Sequence, residues 1–483
     1  MLALFIILPL FGAFIIFLTG KYSKNVSYIM GWIVPALLSA LSLMLAGTKE
    51  VLRYNIGGWA PPLGINLVAD GLSIFFLVII NLIVLLAAIF SIPYIEKYTS
   101  KWIYFALLLV MHASMNAAVL TADIFNLFIW IEIGGVASYA LVAYGVEPEE
   151  LEASFKYAVL SSVGLLFILL GIGLLYAYTS TLNMQEIGRI LQQKPTVRLL
   201  NFVMVLFLVG AGLKAAIVPF HSWLPDAHSS APSPVSALLS GVLIKALGIY
   251  VLLRVMYNVF GMTAQMNMIF IILGLTSIIV GGVLAIYQND MKRLLAYSTI
   301  SQVGYIIFAF GLGTPLGIFA GLFHLVNHAF AKTLMFLNAG SVVYATNGER
   351  DMNKLGGLRE KMPITAATAL VGSMSISGIP PFGGFWSKLV IIIAAIQAGH
   401  YFGALIAVLI SIVTLSYYLK LQKNVFFGEL KTRWANVKES PWMMCFSLMV
   451  LSIICVGLGA LLIPDLKSIF LDPAVKVLTD GLK

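Results

Sequence analysis

The stretch GLFHLVNHAFAKTLMFLNAG, Gly321 to Gly340, sets His324, His328 and Lys332 four residues apart in an otherwise apolar run. On an α-helix each step of four residues rises about 6 Å and turns only about 40°, so the three side chains climb one face like rungs. The solvent that face meets decides the fold. Of the 483 residues 60% are hydrophobic and 10% charged, with a mean hydropathy of +0.99; an ordinary soluble domain carries roughly 25% charged residues. The chain therefore reads as an all-α polytopic membrane protein, with the ladder inside the bilayer.

Apolar stretches of about 20 residues, enough to span, lie near 2–20, 27–46, 71–95, 102–120, 122–144, 153–178, 200–220, 233–260, 268–288, 293–312, 315–346, 362–398, 401–427 and 441–463. They predict about fourteen transmembrane helices. The first run, Leu2 to Thr19, has neither a basic leader nor an A-x-A cleavage site, so it reads as a retained first helix rather than a signal peptide. The 29 Lys and Arg gather mainly in the odd-numbered loops, which the positive-inside rule makes cytoplasmic, leaving both termini outside. The acidic run EPEELEAS, Glu147 to Ser154, argues little against this, because acidic residues contribute weakly to topology. The net charge of +9 is scattered over short loops and forms no stripe, so no nucleic-acid partner is expected. Cys445 and Cys455 both fall in the last apolar segment and form no CxxC, so no disulfide framework, zinc site or iron–sulfur site is suggested.

Two spans are interrupted in the same way. AGLKAAIVPFHSWLPDAHSSAPSP, Ala211 to Pro234, carries Pro219 inside a hydrophobic run; SGIPPFGGFWSKL, Ser377 to Leu389, carries Pro380, Pro381, Gly383 and Gly384. Both read I-x-P-F followed by Trp: Ile217, Pro219, Phe220 and Trp223 against Ile379, Pro381, Phe382 and Trp386. Proline removes a backbone donor and breaks the helical ladder. In lipid such backbone survives only when it is buried in protein or lines a wet cavity. A matched pair of broken helices points to an internal repeat with an ion or substrate site, against the plainer reading of two packing kinks.

Apart from histidines, the ionisable residues expected inside spans are Glu132, Lys214, Lys245, Lys332 and Lys388. At roughly 2.5 to 3.5 kcal/mol each at mid-bilayer, five such groups cost on the order of 10 kcal/mol unless they pair or meet water, which makes them functional candidates. Snorkelling or structural ion pairing would account for one or two of them. Burial lowers a lysine's pKa and raises a glutamate's, and an opposite charge reverses both. A Glu–Lys contact that opens and closes can therefore exchange protons near neutral pH. A neutral imidazole can accept a proton on one nitrogen while donating from the other. His324 and His328, at i and i+4, admit three readings: a zinc pair, satisfied structural histidines, or water-linked relays between lysines. No Glu, Asp or Cys stands on that helix to complete a zinc set, and the relay reading fits the lysines best. His221 and His228 flank SWLPDAH near a helix end and, with Asp123, are candidates for an inlet or an interface, while His112 and His400 carry little signal.

In these motifs the chain resembles the antiporter-like subunits shared by Mrp-type multisubunit Na+/H+ antiporters, respiratory complex I and membrane-bound [NiFe]-hydrogenases. The resemblance runs from about Asp70 to Leu430. It rests on NLFIWIEIGGVASYALVAY around Glu132, GLKAAIVPFHSWLPDAHSSAPSPVSALLSGVLIKALGIY around Lys214 and Lys245, DMKRLLAYSTISQVGYI from Asp290, FHLVNHAFAKTLMFLNAGSV, and SGIPPFGGFWSKL. It implies about fourteen helices, with helices 4–8 and 9–13 as inverted repeats that each hold a broken helix. The divisions are then 1–100, 101–260, 261–430 and 431–483. It also implies a helix-5 glutamate paired with a helix-7 lysine, a connecting lysine on helix 8, histidines and a lysine on helix 11, and an exit-side lysine on helix 12. These map onto Glu132, Lys214, Lys245, then His324, His328 and Lys332, then Lys388.

The M-type member of complex I usually has glutamate at the helix-12 position, where this chain has Lys388. The L-type member carries a long lateral helix, where this chain stops shortly after its last span. The resemblance therefore favours the D-type member of Mrp antiporters, its hydrogenase-type equivalent or the N-type member of complex I. The function it implies is proton or cation translocation by one subunit of a complex in a prokaryotic plasma membrane. Small antiporter subunits, a second antiporter-like subunit and a redox module are the expected partners, with H+ and Na+ as ions. No haem-type CxxCH, Walker A motif or Rossmann fingerprint occurs, so no cofactor, metal, redox or hydrolytic centre is expected in this chain. The competing readings are a structural spacer and a self-sufficient secondary antiporter.

Overall fold

Hydrocarbon offers no water to satisfy peptide groups, so a chain of this composition closes its hydrogen bonds within helices. The computed structural model describes residues 1–48, 50–193 and 198–480. Its helices are α1 (Leu4–Thr19), α2 (Lys24–Leu45), α3 (Gly71–Tyr94), α4 (Lys101–Leu120), α5 (Ile124–Val142), α6 (Pro148–Thr179), α7 (Met184–Gln193), α8 (Arg198–Lys214) and α9 (Trp223–Ser230). There follow α10 (Ser233–Phe260), α11 (Ala264–Ile286), α12 (Met291–Gly311), α13 (Pro315–Ala345), α14 (Pro363–Ser377), α15 (Gly383–Gln397), α16 (Tyr401–Phe427), α17 (Trp442–Leu462), α18 (Pro464–Phe470) and α19 (Asp472–Asp480). Helix occupies every stretch expected to span. Among the described residues ten helices are long and apolar enough to cross a membrane, whereas α1, α14 and α15 are shorter apolar helices.

The centre is formed by α10, buried from Ser233 to Val259, and by α13, buried from Gly317 to Val342, with α3, α4 and α12 packed round them. Outer helices keep large apolar side chains exposed, among them Phe11, Leu37, Leu166, Ile272 and Ile453. In a soluble protein that would be an aggregation surface; here it is what lipid requires.

Three features differ from the all-helical expectation. Residues Leu52–Asn55 (β1) and Asn66–Ala69 (β2) pair antiparallel, with Leu52 opposite Ala69. The chain between them turns through Gly57 and Gly58 at φ +66° and +79°, a region most side chains disfavour. Helix α7 is amphipathic and lies in a predicted loop, and α18 and α19 fold the tail. The third difference is a charge absent from those expected inside spans: Arg254 on α10 is only 3% exposed.

Arg254 forms a two-pronged pair with Asp70, at 2.7 and 2.8 Å, and also donates to the Tyr250 hydroxyl (3.0 Å), the Ser73 hydroxyl (3.0 Å) and Asn258 Oδ1 (3.2 Å). Asp70 in turn caps α3 by accepting from the Ser73 N–H at 2.9 Å, and Asn258 donates to the Val477 carbonyl, tying down α19. Burial pushes the Asp70 carboxyl up, but the Arg254 charge and its hydrogen bonds outweigh that and hold the group below its usual range. One cluster thus joins the hairpin, α3, α10 and the tail. Removing one member leaves the other charged and buried, at a cost of about 3–5 kcal/mol, whereas replacing both with well-packed apolar residues is often neutral. Asp70→Asn is expected to lower the thermal unfolding midpoint markedly in detergent, and Asp70→Leu with Arg254→Met to recover most of it. An unshifted midpoint in the single variant would remove this cluster from its structural role.

Candidate functional site

The first break begins where α8 ends, at Lys214. Ala216 is held at φ +54°, strained for a residue with a side chain by about 1–2 kcal/mol. The released backbone is satisfied by its surroundings: the Trp223 indole donates to the Leu213 carbonyl at 2.9 Å, and the Val218 N–H donates to Ser277 Oγ at 3.0 Å. Pro219 and half-buried His221 lie in the irregular segment, and the Val218–Pro219 bond is cis. In the second break Gly378 closes α14 with its N–H on the Met374 carbonyl at 3.1 Å. Pro380 and Pro381, joined by a cis bond, form the connection, and Gly383 opens α15. A Cβ on Gly384 would lie 1.8 Å from the Ser375 carbonyl oxygen, so the two half-helices touch backbone to backbone. The paired Trp positions diverge: Trp223 plugs its break at 1% exposure, whereas Trp386 is 38% exposed.

Lys214 is buried, and its amine donates to the Tyr139 hydroxyl at 3.2 Å. Tyr139 stands two turns along α5 from half-buried Glu132, which acts electrostatically on Lys214 but makes no ion pair within 4 Å among the described residues. The closed Glu132–Lys214 pair that the resemblance implies is therefore replaced by a Lys214–Tyr139 contact. Tyr139 is fixed in turn by an edge-on contact with Tyr157, whose ring stacks on Trp223 at 4.1 Å, so the lysine's partner is braced by the break itself.

Lys245 lies in a π-helical stretch of α10 that runs in turns over Leu239–Leu243 and Lys245–Ile249. Such wide turns recur at functional sites. Its amine donates to the Ser240 carbonyl at 2.5 Å. A Cβ on Gly248 would fall 2.6 Å from the Ala215 nitrogen, so this helix meets the first break at bare backbone.

On α13 the ladder is continuous, as its spacing predicts. His324 and His328 have nearly parallel rings 6.3 Å apart, and the Lys332 amine donates to the Leu295 carbonyl (2.8 Å) and the Tyr418 hydroxyl (3.1 Å). His324 Nδ1 lies 2.9 Å from Ser387 Oγ, which connects the ladder to α15 one residue before Lys388. The Lys388 amine has no hydrogen-bond partner among the described residues and sits 5.0 Å from the centre of the Tyr305 ring. His324 Nε2, both nitrogens of His328 and both polar atoms of the Gln302 side chain are likewise unpartnered and buried. Lys245, Lys332 and Lys388 are near enough to one another and to the histidines to act electrostatically on them. The structure thus gathers Lys245, His324, His328, Lys332 and Lys388 into one cluster, with Lys214 and Glu132 beyond the first break.

Of the expected inlet positions, Asp123 caps α5 by accepting from the Asn126 N–H at 2.7 Å. His228, expected near an interface, is instead fully buried against the Phe336 ring with neither nitrogen bonded among the described residues, because α9 packs against α6 and α12. Lys292 is not among the expected charges, since DMKR reads as a span's basic edge; it is 3% exposed and donates to the Ala231 carbonyl. His112, which carries little sequence signal, is 2.7 Å from Asn81 in a buried Asn81–His112–Asn116 network.

Residues 121–414, which hold Glu132 and every member of the cluster, match the family model described as NADH:quinone oxidoreductase/Mrp antiporter, TM. The chain belongs to that family. Among relatives, it is 32% identical to the N-type subunit of NADH-quinone oxidoreductase from Desulforudis audaxviator, over 94% of this chain and 95% of that one. It is 31% identical to the D-type subunit of the Na(+)/H(+) antiporter from Alkalihalophilus pseudofirmus, over 94% of each. Among solved structures it superposes on a chain of the Mrp complex from Dietzia sp. with a TM-score of 0.92 at 25% identity, covering 99% of this chain and 97% of that one. It superposes on a chain of an archaeal respiratory membrane complex, the membrane-bound sulfane sulfur reductase, with a TM-score of 0.90 at 30% identity, covering 100% and 99%. The expected family and its helical membrane fold are borne out. As a member of this family the chain is a multi-pass membrane protein, and its near-equal identities to the N and D types leave the two level.

Gly248→Ala is expected to destabilise the protein by about 1–3 kcal/mol, the usual cost of forcing a methyl into packed space, because the obstructing atoms are backbone rather than a movable side chain. Thermal unfolding of purified protein checks this, and an unchanged midpoint would mean that α10 and the first break are not in register.

Proposed function

We propose that this chain is a proton- or cation-translocating, antiporter-like membrane subunit of a multisubunit complex. Protons move along Glu132, Lys214, Lys245, the ladder of His324, His328 and Lys332, and Lys388. The observation that carries the reading is the cluster of buried nitrogens without hydrogen-bond partners: Lys388 Nζ, His324 Nε2 and both nitrogens of His328. A buried polar atom left unpaired costs about 1–3 kcal/mol, and more for a charged group. A structural network would satisfy these atoms within the protein; groups that hand protons on through transient water must keep a free position. Tyr139 beside Lys214 and Tyr418 beside Lys332 give each lysine a neutral partner that holds it without fixing its charge. The two broken helices supply irregular backbone where water can enter.

On this reading residues 101–260 and 261–430 are inverted repeats, each with one break, flanked by 1–100 and 431–483. The odd-numbered loops face the cytoplasm of a prokaryotic cell and both termini lie outside. Other membrane subunits are partners, which the likeness to chains of an Mrp complex and of a respiratory complex supports. Energy comes from an opposing Na+ or H+ gradient, a reading that draws on the 31% identity to the D type. The second reading, a redox-driven pump of the N type, draws on the 32% identity to that relative.

In vesicles holding the whole complex, Lys214→Ala or Glu132→Ala is expected to abolish ΔpH formation or Na+/H+ exchange while the complex still assembles. Lys332→Met and the double change His324→Ala, His328→Ala should slow transport. Assembly lost before transport would favour a structural spacer, and full transport with intact assembly would sink the relay.

A further inference from the structure

The line of titratable groups needs a connection to bulk water, and one face of the molecule carries a cavity that none of the roles above uses. Its volume is about 550 Å3, and its walls come only from odd-numbered loops and the helix ends beside them: Tyr98 after α3, Glu147 and Glu150 at the start of α6, Ser230 at the end of α9, Lys292 at the start of α12, and Arg350 after α13. Arg350 holds this rim together by donating to the Ser229 carbonyl at 2.5 Å and to Glu149 at 3.2 Å, and by pairing with Asp290 at 3.3 Å.

Two buried groups stand in the cavity wall. Glu150 is 8% exposed, and its Oε2 has no hydrogen-bond partner among the described residues. Lys292, 3% exposed, donates to the Ala231 carbonyl and is near enough to Glu150 for the two to act on each other electrostatically. A carboxylate oxygen in that position is satisfied by water, for which the cavity has ample room. Behind this wall lies His228, with both ring nitrogens free and with Lys292, Lys332 and Lys245 all within electrostatic reach. Ser236 Oγ donates to the His228 carbonyl at 2.8 Å and so anchors the segment between His228 and Lys292's acceptor, Ala231. Carboxylates at the rim, a buried carboxylate and lysine in the wall, and an unbonded imidazole between that lysine and the ladder form a graded series from water to the buried cluster.

We propose that this cavity is the proton inlet of the odd-loop face, in which Glu150 takes a proton from water and Lys292 and His228 relay it to Lys332 and Lys245. The proposal rests on the proton-translocating reading above. Uptake breaks an O–H bond of a hydrated proton in the cavity and forms an O–H bond on Glu150; each later transfer breaks an O–H or N–H bond on the donor and forms an N–H bond on the next group, and Glu150 is recharged from the cavity. Asp123 is occupied as a helix cap on the segment that pairs with Asn183, in the even-numbered loops, and does not serve this face.

The test uses the whole complex in vesicles of known orientation, with ΔpH formation as readout. Local charge changes the rate at which an ion is captured by about tenfold or more, and Glu147, Glu149 and Glu150 supply the negative side of this mixed-charge cavity. Glu150→Gln should therefore slow transport about tenfold under alkaline conditions, where protons are scarce, and recover as protons are raised: a higher proton KM at an unchanged maximal rate, with Glu150→Asp close to wild type. In a background with Cys445→Ala and Cys455→Ala, Ser230→Cys should be labelled by membrane-impermeant methanethiosulfonates from the odd-loop side only. The cationic reagent should react faster than the anionic one, and labelling should stop transport. Wild-type rates at every pH in Glu150→Gln, an equal loss at every pH, or undiminished transport after labelling would each overturn the inlet if Lys214→Ala is still inactive. If Lys214→Ala also transports, the relay itself has failed.

Discussion

The interaction on which the structure depends is the hydrogen bond that hydrocarbon makes obligatory. With no solvent to fall back on, each peptide group and each charge inside the bilayer finds a partner in the protein or stands next to water. Most of the chain meets this demand locally, by being helix. At the two interruptions helix is not available, and the solutions are specific. Trp223 and Ser277 take up the backbone groups freed at the first break, and Gly378 recovers the carbonyls at the end of α14. The breaks are therefore built features, the first held by the side chains of Trp223 and Ser277 and the second by its own backbone.

The same demand sorts the buried charges. Arg254 has its donors taken by Asp70, Tyr250, Ser73 and Asn258, and nothing remains for it to exchange. Lys388 has no partner but a ring face, and His328 has none at either nitrogen. Lys214, Lys245 and Lys332 lie between these limits, each with one or two neutral oxygens and no carboxylate within ion-pair distance among the described residues. A charge held by an opposite charge stays charged; a lysine held by a hydroxyl or carbonyl can lose its proton without leaving a buried anion behind. Partnering, more than depth of burial, separates the structural charge from those proposed to exchange protons.

Much of this was legible in the sequence, for physical reasons. Mean hydropathy and span length reveal membrane helices because lipid acts on composition directly, and a period of four reveals a shared helix face, so α13 and its ladder follow from spacing alone. The breaks were legible because proline acts through its own missing N–H. What escaped depends on contacts between distant segments. Arg254 falls within the 233–260 span yet is absent from the charges the sequence singles out, because its partner, Asp70, lies 184 residues away. Lys292 reads as a topology signal because DMKR stands where a loop should end, yet the fold lays Ala231 over its amine. The hairpin Leu52–Asn55 and Asn66–Ala69 is short and carries weak alternation, and its pairing shows only once β2 leads into the Asp70 cap.

The geometry also constrains how coupling between the two halves can work. The first break and the π-helical turn of Lys245 meet where Gly248 lies against Ala215, one residue after Lys214 and three after Lys245. A change in the Lys214–Tyr139 contact therefore acts on backbone that touches the helix of Lys245, the next proposed proton site, with no side chain between to absorb it. At the far end Ser387 connects His324 to the turn before Lys388 in the same direct manner. Packed interiors transmit strain because they have few voids. A line whose members are joined at bare backbone and single hydroxyls lets a change of charge at one site act on its neighbour's helix through direct contact as well as through electrostatics.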